Sequence, residues 1–265
     1  MSNIPRLFVP TDLIEGGPVA LDEAQSKYLF KVMRLQLGDE VRVFNGRHGE
    51  WVAVVSEIFG KSSGLLRVDR ELRRQSRLTD LYLLFAPLKK TRTDFVVEKA
   101  TELGVEVMQP VITEYTNSER VRADRLNRIA VEAAEQTERL NTPRVMESMT
   151  LWAALQDISD HRRVYFCDER GDNTDEAWGG DTNRALPMAD VLRSHPAGSA
   201  AILIGPEGGF SPQEREMLRG MENVVPVSLG PRILRAETAA VAALTLYQAL
   251  CGDWRAYEEE GIQDD

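Results

Sequence analysis

The sequence predicts an α/β protein in which a mostly parallel sheet follows a smaller, β-rich domain. From residue 78 onward, apolar runs of strand length alternate with helical segments, a pattern typical of parallel sheets. Before residue 74 the sequence instead contains several short strands at close spacing, which is typical of a small barrel. Because the charged segment Glu71–Arg77 lacks periodicity, we place the boundary there and predict domains at residues 1–73 and 74–265.

The first domain is predicted to contain several strands and one helix. The helix would be capped by Asp22 and Gln25, with an apolar face formed by Ala24, Tyr28, Leu29, Val32 and Met33. Gly38-Asp39 is predicted to form a turn. The predicted strands are Arg6–Val9, Glu40–Phe44, Trp51–Ile58 and Leu65–Val68.

The second domain alternates between strands and helices. Thr91 with Asp94 is predicted to cap a helix that ends at Gly104, and Gly252 is predicted to end the last helix. That last helix suits either a subunit interface or a core position, since both accept small residues on one face. The predicted strands are Leu78–Ala86, Val105–Ile112, Arg163–Cys167, Ala200–Ile204 and Val225–Ser228, and the other helices are Asp124–Arg139 and Met188–Arg193.

Composition limits the kind of protein this is. The net charge of −10 argues against a surface that binds polyanions throughout, so an RNA site would have to be a local basic patch. The acidic segment Asp168–Asp181 is expected to face solvent. Two distant cysteines and three histidines without ligand spacing predict no metal site. Lacking an apolar run of membrane-spanning length or a signal-peptide core, the protein is expected to be cytoplasmic, without a membrane partner.

A glycine-rich turn follows the apolar run Ala200–Ile204. The turn reads Gly-Pro-Glu-Gly-Gly-Phe at residues 205–210, and Ser211, Pro212 and Glu214 then form a helix-start signal. Ligands bind at the carboxyl ends of strands in open α/β sheets, and glycine lets a ligand approach the main chain closely. Taken alone, the turn is equally consistent with a tight connection that binds nothing.

A second strand, turn and helix start carries two arginines and a glutamate, reading Leu-Gly-Pro-Arg-Ile-Leu-Arg-Ala-Glu-Thr-Ala at residues 229–239. Together, these paired motifs resemble the uridine-N3 methyltransferases of small-subunit ribosomal RNA, within the SPOUT (trefoil-knot) superfamily. Residues 28–34 are similar to the PUA-like barrel that opens this family. The chain departs from the family pattern at Glu138, where the family usually has glycine, and at Ala236, where it usually has threonine.

The resemblance implies a fold and an activity. The expected fold is a PUA-like RNA-binding β-barrel at 1–73 and a SPOUT methyltransferase domain at 74–265, with the knot at about 200–250. The resemblance also implies a homodimer with its active site near the subunit interface. The implied activity is methyl transfer from S-adenosyl-L-methionine to N3 of a specific uridine in the decoding region of 16S ribosomal RNA, with the assembled small ribosomal subunit as the partner.

On this interpretation the catalytic residues are Arg232, Arg235 and Glu237, with Arg232 expected to be the first of the two arginines in the reaction. An arginine aimed at the uracil oxygens would stabilise the charge that develops when N3 loses its proton. Glu237 is either a base or an ion-pair partner at a helix start. The predicted cofactor-binding residues are Asp168, Leu203, Gly205, Pro206, Glu207, Gly208, Gly209, Leu229, Gly230, Ile233 and Leu234. The predicted RNA-binding residues are Arg6, Arg34, Lys89, Lys90, Arg92, Lys99 and Arg139.

Two other functions remain open at this point. One is a SPOUT methyltransferase that acts on a ribose 2′-hydroxyl of tRNA. The other is an RNA-binding ribosome assembly factor without catalysis, against which both glycine-rich loops and both arginines argue.

Overall fold

The computed structural model describes residues 4–60, 63–76, 79–117, 121–172, 180, 182–195 and 198–255. The chain divides into two compact units. The first comprises Met1–Arg77 with Val131–Thr142, and the second comprises Leu78–Ala130 with Pro143–Asp265.

The first unit contains a five-stranded mixed sheet. Its strands are β1 (Arg6–Phe8), β2 (Pro18–Ala20), β3 (Glu40–Phe44), β4 (Glu50–Ile58) and β5 (Gly64–Arg73), in the order β1-β3-β4-β5-β2. β1 pairs in parallel with β3, and the other neighbours pair antiparallel. β5 continues through Arg73, so the charged segment that begins at Glu71 is partly strand rather than irregular linker.

Helix α1 (Glu23–Lys27) begins with the predicted capping box of Asp22 and Gln25. Its predicted apolar face was wrong: Leu29 is buried, whereas Ala24, Tyr28 and Val32 are exposed. The chain passes into a π-helical turn at Tyr28–Val32, and the wider turn shifts which side chains face the core.

Arg6 is the buried cation of this unit. Its Nε donates to Glu50 Oε1 at 2.5 Å, and its two terminal nitrogens donate to the carbonyls of Ala134 and Arg139, each at 2.6 Å. Ala134 lies in the last turn of helix α3 (Ala123–Gln136), whose final carbonyls have no partner within the helix. Arg6 therefore stabilises the C-terminal end of α3, although burial lowers the pKa of its guanidinium group.

Glu138 has a backbone φ of 61°, in the left-handed region that favours glycine. This is the position at which the family usually has glycine. The Glu138 carboxylate forms ion pairs with Arg42 and, at 3.2 Å, with Arg73. The glutamate therefore combines an unfavourable backbone conformation with two favourable charge contacts.

The second unit is built on an entirely parallel sheet. The order is β11-β13-β10-β12-β6-β7-β8, and β9 pairs with β7. The strands are β6 (Leu81–Phe85), β7 (Val107–Ile112), β8 (Arg144–Val145), β9 (Met149–Thr150), β10 (Arg163–Cys167), β11 (Leu186–Pro187), β12 (Ala200–Ile204) and β13 (Val224–Ser228). The predicted parallel sheet is confirmed, including the bounds of β10 and β12.

Besides α3, the helices assigned here are α2 (Lys90–Glu102), α4 (Leu151–Asp157), α5 (Met188–Ser194), α6 (Pro212–Arg219) and α7 (Ala236–Leu250). The predicted cap of α2 was wrong. Thr91 lies inside the helix after the N-cap Lys89, and Asp94 instead pairs with Arg125 at 2.6 Å. Within the described ranges, no helix combines the length and apolar character that a membrane crossing requires.

Strand β12 is buried along its whole length. Ala200, Ile202 and Ile204 pack into one apolar cluster, whereas Ala201 and Leu203 pack into another. Alternate side chains of a strand point to opposite faces, so both faces of the sheet are covered here. Helix α7 packs against α2, α5 and β12.

We predict that Glu138→Gly is more stable than Glu138→Ala by about 1 kcal/mol in urea denaturation. Both variants lose the two ion pairs, but only glycine relieves the left-handed backbone. The control is Glu132, an exposed position inside α3, where alanine should be more stable than glycine by about 1 kcal/mol. If alanine were more stable than glycine at position 138 as well as at position 132, the backbone at Glu138 would carry no strain.

Candidate active site

Four parallel strands bring their carboxyl ends to one edge of the sheet, in the order β13, β10, β12 and β6. A cavity of about 220 Å³ opens there between the segments that follow β10, β12 and β13. It is lined by Cys167, Asp168, Glu169, Arg170, Ile204, Gly205, Pro206, Glu207, Gly208, Gly209, Phe210, Arg215, Ile233, Leu234, Arg235, Ala236 and Ala239. The structure thus brings the two sequence motifs together.

Most of the predicted cofactor-binding residues line this cavity. They are Asp168, the whole loop Gly205–Gly209, Ile233 and Leu234. Three predicted residues are not among those that line it. Leu203 is fully buried within β12, and Leu229 and Gly230 precede the part of their loop that reaches the cavity.

The glycine-rich loop is shaped by its own sequence. Ser211 and Glu214 form the predicted capping box, and Pro212 is the first residue of α6. A Cβ at Gly205 would lie 2.5 Å from the Phe210 ring, so this glycine lets Phe210 pack edge-on against Phe166. Gly209 has a φ of 72°, and a Cβ there would meet no atom within 4 Å. At Gly209 the loop therefore presents bare backbone beside open space.

Asp168 is buried, in contrast to the expectation that its acidic segment faces solvent. Its carboxylate accepts hydrogen bonds from Arg215 at 3.0 and 3.1 Å and from Arg219 at 3.0 and 2.7 Å. Both arginines also pair with Asp172 at 3.0 Å. Sequence reasoning missed Arg215, because no local signal pairs a residue of α6 with a carboxylate 47 positions earlier. The Asp168 side chain thus tethers α6 to the end of β10.

Arg92 also has carboxylate partners. It pairs with Glu207 in the glycine-rich loop, and its Nε lies 3.6 Å from Glu237 Oε1 in the first turn of α7. Glu237 is not a lining residue of the cavity, and its buried Oε2 has no hydrogen-bond partner within the described part of the chain. Of the two roles considered for Glu237, ion pairing is the one that this geometry displays.

The two predicted catalytic arginines occupy different places. Arg235 is exposed, lines the cavity and is the N-cap residue of α7. Arg232 is also exposed but does not line the cavity. Only Arg235 is therefore placed within direct reach of a molecule that occupies it.

Glu169 is an acidic residue of the cavity lining, although it was not among the predicted site residues. The backbone N–H of Leu234, in the arginine-bearing loop, favours the charged form of the Glu169 carboxylate and so opposes a rise in its pKa. Burial raises the pKa of Glu169, and the neighbouring charge of Asp168 raises it further. Burial likewise raises the pKa of Cys167, so this thiol at the cavity wall stays protonated.

The predicted RNA-binding residues differ in their availability. Lys89 and Lys90 are exposed at the start of α2, and Arg34 is exposed with a φ of 59°. Lys99 is already paired with Glu98 at 2.8 Å and Glu102 at 2.7 Å.

Besides Arg92, whose carboxylate partners are described above, Arg139 and Arg6 are also bonded within their own unit. Arg139 is half-buried, with its Nε bonded to Asn141 Oδ1 at 3.0 Å. The guanidinium of Arg6 is buried and is bonded to Glu50 and to the carbonyls of Ala134 and Arg139, so its own unit already occupies it.

A second cavity, of about 680 Å³, lies at the opposite edge of the sheet, where the strands begin. Its lining includes Arg163, Tyr165, Ser199, Asn223 and Tyr247. Although it is larger, it contains neither sequence motif. Because ligands of open parallel sheets bind at the carboxyl ends of the strands, the smaller cavity is the candidate active site.

Comparison with known proteins supports this assignment. An RNA methyltransferase domain profile matches residues 74–248, and an RNA methyltransferase PUA domain profile matches residues 21–69. The ribosomal RNA small subunit methyltransferase E of Rickettsia conorii is 30% identical, over 92% of this chain and 95% of its own length. The protein of the same name from Synechocystis is 32% identical, over 92% of this chain and 77% of its own.

A solved structure shares the architecture. The crystal structure of ribosomal RNA small subunit methyltransferase E from Neisseria gonorrhoeae, bound to S-adenosyl methionine, superposes with a TM-score of 0.81. It is 27% identical, and the match covers 95% of this chain and all of that one. The predicted fold class, a SPOUT-type α/β domain after a small PUA-like β domain, is confirmed. On these grounds, the chain belongs to the RNA methyltransferase family whose members join a PUA domain to a SPOUT methyltransferase domain.

Proposed function

We propose that this protein transfers a methyl group from S-adenosyl-L-methionine to N3 of a specific uridine in the decoding region of 16S ribosomal RNA. The observation that carries the proposal is the cavity in which the bare-backbone loop Gly205–Gly209 meets the arginine-bearing loop that ends at Arg235. The whole-length similarity to enzymes named for the small ribosomal subunit supports rRNA as the substrate, in preference to tRNA or a non-catalytic role.

The residues at the cavity fit the methyl donor. Gly209 leaves open space beside its backbone, where the donor can approach main-chain hydrogen-bonding groups. Ile233, Leu234 and Ala239 supply apolar surface for an adenine ring. When bound, the donor supplies an electrophilic methyl group on a positively charged sulfur. The chain's own task is to hold the uracil in line with that group, which can supply much of the rate.

Uracil N3 becomes a good nucleophile only when its proton leaves, and the resulting negative charge spreads onto O2 and O4. Arg235 lines the cavity from the N-terminal end of α7, where the helix dipole also favours negative charge. Arg232 lies three residues earlier in the same loop. We assign both arginines to stabilising this charge, with Arg235 as the nearer contact.

We also propose a role for each domain, the form of the RNA substrate and the oligomeric state of the active protein. Residues 1–73 would bind RNA, and residues 74–265, with the knot at about 200–250, would carry out catalysis. The substrate would be rRNA within the assembled small subunit, in the cytoplasm, and the active protein would be a homodimer. The family resemblance and the PUA match support these statements.

The direct test of the proposed function is a methylation assay with purified protein, donor and small ribosomal subunits, followed by mass spectrometry of the rRNA nucleosides. We expect 3-methyluridine at one position of 16S rRNA. A methylated ribose, or no product although the donor binds, would instead support one of the two alternative functions.

For catalysis, we expect Arg235→Ala to lower single-turnover methylation by about 10²–10³, the usual effect of removing one donor aimed at developing charge. Donor and RNA affinities should change little. Lysine should restore only part of the rate, because it lacks the planar fork of arginine. Arg193→Ala, which removes an exposed arginine on α5, is the control. Normal turnover of the Arg235 variant with both ligands bound would exclude this role.

For donor binding, we expect Ile233→Ala to weaken the affinity for S-adenosylmethionine about tenfold in calorimetry. The Ile233 side chain is 57% exposed without a ligand, so its truncation should remove apolar contact with the donor and little from the core. Leu186→Ala is the matched control, since Leu186 is 68% exposed and lies outside the cavity. Equal affinities of the two variants would place the adenine elsewhere.

For RNA capture, we expect Lys89→Ala with Lys90→Ala to reduce the slope of log affinity against log salt concentration by about 1–2, without weakening donor binding. Both side chains are exposed at the cavity edge of the sheet, where β6 leads into α2. Lys99→Ala should change the slope less, because two glutamates already pair with this ammonium group. An unchanged slope in the double variant would exclude these lysines from the RNA interface.

A further inference from the structure

We propose that the carboxylate of Glu169 accepts hydrogen bonds from the ribose hydroxyls of the methyl donor. This inference rests on the proposed function, because it takes S-adenosylmethionine as the ligand of the cavity. It assigns the donor's sugar to a side chain that the sequence motifs do not contain, and it removes Asp168 from direct contact with the donor.

Three acidic residues line the cavity, and two of them already form ion pairs with arginines. Asp168 is 4% exposed, and its two oxygens accept hydrogen bonds from Arg215 and Arg219. Glu207 forms an ion pair with Arg92. Opening either contact for a ligand would break an existing ion pair with an arginine. Both residues are therefore poor acceptors for an additional neutral hydroxyl.

Glu169 is the acidic residue of the cavity whose carboxylate can still accept hydrogen bonds from a ligand. Within the described part of the chain its carboxylate forms no side-chain hydrogen bond or ion pair, and the backbone N–H of Leu234 is the main-chain group that favours its charged form. A carboxylate offers about four lone-pair sites on two oxygens, so the Leu234 contact can orient the group while leaving room for two more donors. A ribose with vicinal hydroxyls presents two O–H donors side by side. The fixed carboxylate and the diol are therefore complementary.

The position of Glu169 agrees with this role. It is the second residue after β10, which lies between β12 and β13, so it faces both motif loops across the cavity. Acidic residues near the ends of parallel strands recognise ribose hydroxyls in other nucleotide-binding α/β folds. The glycine loop and the apolar Ile233 and Leu234 would then contact the rest of the adenosine.

The electrostatic surroundings indicate that the carboxylate gains from additional hydrogen bonds. Burial is the main reason that the pKa of Glu169 is raised, and Asp168 adds to the shift, whereas Arg170 and Arg184 oppose it. Arg215 and Arg235 also line the cavity, the former bound to Asp168 and Asp172. Hydrogen bonds from a ligand stabilise the charged form, so donor binding should favour the ionised carboxylate.

The test is calorimetry with S-adenosylmethionine, S-adenosylhomocysteine and the 2′-deoxyribose analogue of S-adenosylhomocysteine. Glu169→Gln should lower the affinity for the first two ligands by the same factor, about tenfold, because a hydrogen bond to a charged group is being weakened. The wild-type protein should bind the deoxy analogue about tenfold more weakly than S-adenosylhomocysteine. The variant should discriminate much less between these two.

The pH dependence gives a second signature. As the pH falls through the raised pKa of Glu169, the carboxylate is protonated and loses acceptor strength, so the wild-type affinity for S-adenosylhomocysteine should fall. In Glu169→Gln this fall should be absent. Glu222→Gln, at the opposite edge of the sheet, is the control for a general effect of removing an acidic charge.

Several outcomes would overturn the assignment. A loss confined to S-adenosylmethionine would mean that Glu169 recognises the positively charged sulfur rather than the sugar. Unchanged affinities in Glu169→Gln, or loss of sugar discrimination in Glu207→Gln instead, would also overturn it. If the wild-type protein bound none of these ligands, the proposed function itself would fail. Normal wild-type binding with an unaffected variant would refute only the role of Glu169.

Discussion

The geometry of the active-site cavity depends on one buried carboxylate, Asp168, held by Arg215 and Arg219. These contacts fix α6 to the carboxyl end of β10. At the N-terminal end of α6, the capping box of Ser211 and Glu214 fixes where this helix begins. The glycine-rich loop between β12 and α6 has few side chains of its own to hold it. It is therefore held in place by the elements on either side.

At the same edge of the sheet, some charged side chains already form ion pairs, whereas others are free to contact a ligand. Asp168, Asp172 and Glu207 are each paired with an arginine, and Glu237 lies near Arg92. These pairs neutralise acidic groups near a site that must accept a polyanion. Arg235 at the cavity and the exposed Lys89 and Lys90 beside it remain available for RNA. A protein of net charge −10 can thus present a local basic surface.

Local sequence signals predicted the elements whose structure is decided locally. The bounds of β10 and β12 follow from apolar runs covered on both faces, and the cap of α6 follows from Ser211, Pro212 and Glu214. Gly104 ends α2 with a φ of 81°, as a glycine C-cap predicts. The motif at 205–210 identified the loop that lines the cavity, and the second motif located Ile233, Leu234 and Arg235.

Long-range pairing of side chains decided the features that sequence reasoning missed. Arg6 looked like a free cation, yet its partners lie 44 to 133 positions away. Asp168 and Arg92 looked available for ligands, but each meets its partner only once the parallel sheet has formed. The π-helical turn Tyr28–Val32 also changed which residues of the predicted apolar face are buried, and no local sequence signal indicated it. At Glu138, where the family usually has glycine, the sequence pointed to an unusual backbone conformation, and the positive φ of Glu138 agrees with this expectation.

We propose that the donor binds where the glycine-rich and arginine-bearing loops meet, at the carboxyl edge of the parallel sheet. Amide hydrogen exchange with and without S-adenosylmethionine tests it most directly, because binding slows exchange where backbone groups become ordered or covered. We predict protection at residues 168–170, 205–209 and 233–236, and little change around Arg163, Ser199 and Asn223 at the opposite cavity. Protection at the opposite cavity, without protection of the glycine-rich loop, would contradict this position of the donor.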